Sequence, residues 1–222
     1  MTDATDFLYP FIESNERDPA TLLADLARSA REKQSTSTML RATTLEKSEA
    51  ALERAAAALA GRLDAGGRMF VFGNGGSSTD AASLAGLFAR PPHGRPVAAR
   101  TLVADAAVLT ALGNDVGFDL VFSRQLIAHG RRGDVAVGLS TSGTSRNVLA
   151  AFETARETGL LTIGLAGYGG GAMATSPHVE HCLVVHADSV HRIQEAQAAL
   201  GFALWQRTQT ALGAEVGERS SA

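Results

Sequence analysis

The chain has 222 residues, 45% of them hydrophobic, and a formal net charge of −3 at pH 7. This composition supports one domain with a full hydrophobic core, and it lacks the basic excess of a protein that binds nucleic acid on its own. The single cysteine, Cys182, excludes an internal disulfide, and no apolar run reaches membrane-spanning length, so we expect a cytoplasmic protein without a membrane partner.

The first part of the chain predicts helices before any strand. Asp18 and Pro19 form a start signal, because a capping side chain precedes a proline suited to the first helical position. Thr43 and Glu46 form a capping-box pattern ahead of apolar residues at helical spacing as far as Leu59. We therefore expect two N-terminal helices. Residues 1–40 are predicted to be a partly helical extension, and the second helix leads a domain that covers residues 41–212.

From Met69 onward, short apolar strands alternate with helical segments. The strands are predicted at residues 69–72, 97–103, 135–139, 161–165 and 183–185. The segments between them are long enough for crossover helices. The pattern predicts an α/β fold, a three-layer αβα sandwich with a five-stranded parallel sheet of the flavodoxin-like type. A last helix is expected from about Val190 to about Leu212, and residues 213–222 are expected to be frayed.

Two of these strands end in loops that are rich in glycine and hydroxyl residues, at residues 73–79 and 138–145. Glycines let backbone N–H groups converge, the following helix adds its positive end, and hydroxyls donate to phosphate oxygens. Neither loop has a dinucleotide or P-loop ATPase pattern. One such loop alone is more often only a tight turn, but two at one sheet edge favour a phosphorylated ligand. A third glycine-rich stretch, residues 167–171, predicts only a flexible connection.

Four ordered motifs make the chain resemble the sugar isomerase (SIS) domain family and, within it, the phosphoheptose isomerases, which interconvert sedoheptulose 7-phosphate and a heptose 7-phosphate. The motifs are GNGGS at 73–77, ALGND at 111–115 with VFSRQ at 121–125, STSGTSRNVL at 140–149, and RIQE at 192–195. The resemblance covers residues from about 40 to 210. It implies a phosphosugar pocket formed by Asn74, Gly75, Gly76, Ser77, Asn114, Asp115, Ser140, Thr141, Ser142, Ser145 and Gln194.

The resemblance also implies where catalysis would lie, and there the chain departs from the family. On the helix after the first loop the family has a histidine and, one turn later, a glutamate, which may bind zinc; Ser83 and Leu87 stand here. A second family histidine, eight residues after the retained Gln194, is replaced by Phe202. Leucine and phenylalanine neither transfer protons nor bind metals. We therefore expect no zinc and no other cofactor, and the catalytic residues stay unassigned.

Isomerisation through an enediol needs a base, and nearby residues offer few candidates. Asp80 equally suits the role of a first-turn carboxylate that complements the helix dipole. Glu195 adjoins Gln194, but adjacent helical residues point about 100° apart, so we expect it at the surface. His191 is expected to be a residue near a helix start, and His93, in a proline-rich loop, is expected to be solvated.

Two functions of different classes follow from these residues. The first is an isomerase of sedoheptulose 7-phosphate or a related sugar phosphate. The alternative is a non-catalytic SIS protein, a sugar-phosphate sensor or a scaffold for an unidentified protein partner, similar to the DnaA initiator-associating protein. Both predict a phosphorylated sugar as ligand, a homotetramer or dimer, and no direct contact with nucleic acid. A carboxylate or histidine with a shifted pKa facing residues 140–145 would favour the enzyme.

Overall fold

The computed structural model describes the backbone of residues 19–213 and the side chains of residues 22–213. Its first helix, α1, runs from Pro19 to Asp64 without interruption, so the prediction of two N-terminal helices was wrong. No glycine or proline lies between Pro19 and Gly61, and Thr43 and Glu46 are exposed in the helix interior, where their capping groups are not needed. Asp18 and the tail residues 214–222 lie outside the described residues.

The residues from Leu40 onward form one compact unit in which strands alternate with helices. In chain order its elements after α1 are β1 Met69–Gly73, α2 Gly76–Ala89, β2 Ala99–Thr101, α3 Ala106–Asp115, a 3-10 turn Phe118–Leu120, α4 Val121–His129, β3 Val135–Ser140, α5 Arg146–Glu157, β4 Leu161–Ala166, α6 Gly171–Thr175, β5 His181–Val184 and α7 Val190–Ala211. The five predicted strands and the last helix are all present. Strand β2 is shorter than expected, and β5 begins two residues earlier. The predicted division into residues 1–40, 41–212 and 213–222 stays a prediction.

All five strands are parallel, in the order β2-β1-β3-β4-β5. The register places Val71 beside Val137, and Val137 beside Ile163. Because the chain order reverses between β1 and β3, the loops that follow these two strands diverge and open a crevice at the carboxyl edge of the sheet. The predicted flavodoxin-like sheet is therefore confirmed, and both hydroxyl-rich loops lie at its switch point.

Hydrophobic clusters on both faces of the sheet establish the three layers. One joins α1, α2 and α7 to the sheet through fully buried side chains such as Leu59 and Trp205. The other joins α4 and α5 to it, with the ring of Phe72 lying 5.3 Å from Phe122 and 5.5 Å from Phe152 between ring centroids. Among the described residues, no helix combines the length and apolar character that crossing a bilayer requires.

A buried carboxylate joins the amino ends of β1 and β3, opposite the crevice. Asp134 Oδ1 accepts from the Arg68 backbone N–H at 2.8 Å, and its Oδ2 accepts from Arg68 Nη2 at 2.7 Å and from the Arg131 N–H at 3.0 Å. We expect Asp134→Ala to lower the free energy of unfolding by about 2 kcal/mol in urea titrations, because it leaves these donors unpaired.

The matched control is Asp64→Ala. Asp64 is exposed and its carboxylate pairs with Arg95 at 2.7 Å, so its loss should cost less than about 1 kcal/mol. Equal losses in the two variants would contradict the structural role assigned to Asp134.

Candidate functional site

The loop after β1 turns at Gly75, whose φ of 53° suits glycine, and α2 begins at the next residue. Gly76 faces α7, because a Cβ built there would lie only 2.4 Å from Nε2 of Gln194. The absence of a side chain at Gly76 thus lets Gln194 reach the loop. The structure brings together these two residues, which the sequence had placed in one site from positions more than a hundred residues apart.

The loop after β3 is organised around a buried hydroxyl. Ser140 Oγ accepts from the Gly143 N–H at 3.1 Å and lies 2.9 Å from Ser145 Oγ. Ser142 Oγ, in contrast, belongs to an exposed residue and accepts from the N–H and the hydroxyl of Thr144 at 3.2 and 3.0 Å. Ser140 therefore shapes the loop from inside, while Ser142 and Thr144, with the half-exposed Thr141, leave polar groups accessible to solvent.

Helix α5 starts directly after this loop without a side-chain cap. Ser145 occupies the N-cap position, but its hydroxyl is directed at Ser140 and makes no capping hydrogen bond. In α3, by comparison, the Asp105 carboxylate accepts from the N–H groups of Ala107 and Val108 at 2.9 and 3.1 Å. The start of α5 thus combines a helix dipole, backbone donors without a capping side chain and exposed hydroxyls, a combination that suits a phosphate.

The glycine turn at residues 167–171 supports the serine loop. Gly143 has a φ of +66°, and a Cβ there would lie 2.0 Å from the carbonyl oxygen of Gly170. The Met173 N–H donates to the Gly143 carbonyl at 2.9 Å. The prediction of a mere connection missed this role. The run of glycines was the available signal, since it permits two backbones to approach closely.

An amide pair links the two hydroxyl-rich loops. Asn74 Nδ2 donates to Asn147 Oδ1 at 2.8 Å, and Asn147 Nδ2 donates back to Asn74 Oδ1 at 2.9 Å. Asn147 is buried in the first turn of α5. The side chain of Asn74, predicted to bind the ligand, is therefore engaged within the protein, and Asn147 is the partner that sequence reasoning had quoted in a motif without assigning it a role.

Two predicted ligand residues are not joined to this cluster, and a third, Ser77, belongs to the glycine loop itself. Ser77 is buried in the first turn of α2. Asn114 and Asp115 end α3, are exposed, and bond to each other, with Asn114 Nδ2 donating to Asp115 Oδ1 at 2.8 Å. Within the described chain, no hydrogen bond connects either of these two to the glycine or serine loop. Their contact with a sugar stays a prediction.

Three of the four positions that the resemblance assigns to catalysis and zinc binding lie around one cavity of about 180 Å³ between α2 and α7. Ser83, Leu87 and Phe202 all line this cavity. Leucine and phenylalanine offer no donor atom, so the residues present do not fit a zinc ion. Nowhere in the described part of the chain do three or more histidine, cysteine, aspartate or glutamate side chains gather in a way that could hold a metal.

Titratable residues near the site differ in their environment. Burial raises the pKa of the Asp80 carboxyl, which lines the same cavity. Glu195 and His191 are exposed on α7, as expected.

Two further titratable residues singled out in the sequence lie outside this cavity. Burial raises the pKa of the Cys182 thiol to about 11, which keeps it protonated and unreactive at neutral pH. His93 is not the solvated residue we expected, because its ring packs on Trp205 with centroids 4.9 Å apart.

Comparisons with known proteins give one consistent result. Residues 34–167 match the sequence model of the SIS domain family. A phosphoheptose isomerase from Rhodospirillum rubrum is 46% identical over 164 residues, which is 73% of this chain and 86% of the relative. Two solved phosphoheptose isomerase structures have a TM-score of 0.77 and align with 83% of this chain. The enzyme from Neisseria gonorrhoeae is 34% identical and covered to 99%, and that from Francisella tularensis is 28% identical and covered to 98%.

Proposed function

Because the chain belongs to the SIS domain family, we propose that it is a sugar-phosphate isomerase of the phosphoheptose isomerase type. One observation carries this proposal: the uncapped start of α5, with its exposed hydroxyls, lies at the switch point of the sheet together with the contact between Gly76 and Gln194. A phosphate at the start of α5 would place the sugar between the two loops. The relatives named above are isomerases and give no support to the non-catalytic alternative.

The proposed substrate is sedoheptulose 7-phosphate, by analogy with what those relatives are named for. The serine loop, through Thr141, Ser142 and Ser145, would hold the phosphate, while Ser140 keeps that loop in shape. Gln194 would reach the sugar hydroxyls from α7 past Gly76, and Asn114 and Asp115 are proposed for the same purpose. Phosphate binding fixes one end of the substrate and leaves its carbonyl end free to react elsewhere in the crevice.

The proposal includes the setting in which this enzyme would act. Catalysis would proceed without zinc, because Leu87 and Phe202 stand where ligands would be needed. A homotetramer or dimer in the cytoplasm is part of the proposal, in keeping with the family resemblance. Exposed apolar residues of the compact unit, such as Phe118 at 61% and Ile127 at 57% exposure, are the kind that subunit contacts cover.

The test is to incubate purified protein with sedoheptulose 7-phosphate, follow the sugar signals by NMR, and measure binding by calorimetry in parallel. The proposal expects a heptose 7-phosphate to appear, and it expects unphosphorylated sedoheptulose to bind at least about 100-fold more weakly, because the phosphate contacts are lost. Binding heat without product would instead indicate the sensor or scaffold, and no binding at all would contradict both functions.

A further inference from the structure

The cavity between α2 and α7 is lined by both apolar and polar side chains. Its lining is mostly apolar, with Leu84, Leu87, Leu139, Ala198 and Phe202, and its polar members are Asp80, Ser83 and Gln197. Its volume of about 180 Å³ lies below the roughly 300 Å³ at which ligand pockets usually begin. The cavity therefore suits one end of a ligand whose remainder lies outside it. Leu139 belongs to β3 and immediately precedes the serine loop, so the cavity adjoins the place where the phosphate is proposed to bind.

Gln197 lines this cavity and is held in place by hydrogen bonds to the backbone. The residue is fully buried, and its Nε2 donates to the carbonyl oxygens of Leu165 at 3.0 Å and Ser140 at 3.3 Å. These two bonds fix the amide, and its Oε1 is buried without a hydrogen-bond partner among the described residues. The amide therefore forms a fixed part of the cavity wall and offers no accessible atom to a ligand.

Among the described residues, Asp80 is the only ionisable one that lines the cavity. Asp80 lies one helical turn after Gly76, and Gly76 is the residue that contacts Gln194. Its carboxyl makes no hydrogen bond or ion pair with any described residue, and burial is the cause that raises its pKa. A half-buried carboxyl that no protein group satisfies, in a small apolar cleft, has the properties of a general base and acid. A carboxylate that only complements the helix dipole needs no such cleft.

We propose that Asp80 is the catalytic base and acid of this protein and that it acts on the reacting end of a sugar held in this cavity. This inference rests on the proposed isomerase function and names the residue that performs it. Asp80 would take the place of the family's groups, whose positions here are occupied by Ser83, Leu87 and Phe202. The catalytic group would then lie about one turn before Ser83 and about two turns before Leu87 on α2, in the same cavity.

The step balances without an oxidant, a reductant or a metal. The Asp80 carboxylate removes a proton from C1 of the ketose, the C–H electron pair forms the C1–C2 double bond, and the carbonyl electrons move to O2. The proton of the O1 hydroxyl passes to O2. The electrons on O1 then form the new carbonyl, and the double-bond pair takes the proton of the Asp80 carboxylic acid at C2. The product is the aldose, and Asp80 is a carboxylate again.

The first test compares Asp80→Asn with the wild-type protein and with Glu195→Gln, a matched change of an exposed carboxylate on α7 outside the cavity. We expect Asp80→Asn to lower kcat about 10³-fold while the Kd for sedoheptulose 7-phosphate changes less than about threefold. Glu195→Gln should keep kcat within about twofold of wild type. Circular dichroism checks that all three proteins are folded.

A second variant separates catalysis from structure. Asp80→Ala leaves space in the cavity, and formate, a small carboxylate, should restore part of its turnover, whereas a structural role would not respond to formate. Wild-type turnover that persists within tenfold in Asp80→Asn would overturn this inference and leave the proposed function standing. Equal losses of binding and kcat in Asp80→Asn, without formate rescue of Asp80→Ala, would overturn it as well. Wild-type protein that forms no product would instead overturn the proposed function.

Discussion

Replacing Gly143 with alanine is expected to abolish phosphosugar binding and to lower the free energy of unfolding by about 3 kcal/mol. The residue has a φ of +66°, and the new methyl group would lie 2.0 Å from the backbone oxygen of Gly170. A backbone atom cannot turn aside as a flexible side chain can. The serine loop would therefore move away from the glycine turn, and the hydrogen bond from the Gly143 N–H to Ser140 Oγ would be lost.

The matched control is Gly66→Ala. Gly66 has a similar φ of +84°, but no atom lies within 4 Å of the position of its Cβ. It therefore isolates backbone strain from the steric clash and should cost about 1 kcal/mol without any effect on binding. Urea unfolding and calorimetry measure both quantities. If Gly143→Ala bound the phosphosugar as wild type does, the serine loop would not be the phosphate site.

Ser142→Asp is expected to weaken binding of sedoheptulose 7-phosphate about 100-fold with little change in stability. Ser142 is exposed and its hydroxyl lies in the loop proposed to hold the phosphate, so a carboxylate there would repel the ligand. Calorimetric titration at low ionic strength measures the effect, which should shrink as salt is added.

The neutral isostere Ser142→Asn is the control, because it matches aspartate in shape and lacks its charge. It should weaken binding no more than about tenfold, the scale of one neutral hydrogen bond. Similar losses of affinity in both variants would show that the shape of the side chain, and not its charge, determines binding at this position. That result would argue against a bound phosphate beside Ser142.

The sheet could be predicted because its strands are short apolar runs between glycines, as in residues 69–73 and 135–140. The two loops could be predicted because two loops rich in glycine and hydroxyl residues follow parallel strands and meet at one edge of the sheet. The single helix α1 could not, since Thr43 and Glu46 match a capping box by type alone. A capping pattern indicates a helix start only where the chain before it is not already helical.

The contacts between residues far apart in the chain could not be predicted from one sequence. The pairing of Asn74 with Asn147, and the approach of Gly143 to Gly170, depend on which loops the sheet order brings together. Asp80 is the clearest case. In the sequence it is a carboxylate in the first turns of a helix, but the fold places it in a cavity with Gln197, which lies 117 residues later.

The most direct test of the central claim is proton exchange at the reacting carbons. Protein freed of metal and kept in EDTA is incubated with sedoheptulose 7-phosphate in D2O, and the C1 proton signals of the ketose are followed by NMR. A zinc-independent isomerase should form the aldose and exchange one of the two C1 protons for deuterium, and Asp80→Asn should do both about 10³-fold more slowly. Protein that binds the ketose under these conditions but neither exchanges a C1 proton nor forms the aldose would contradict the account.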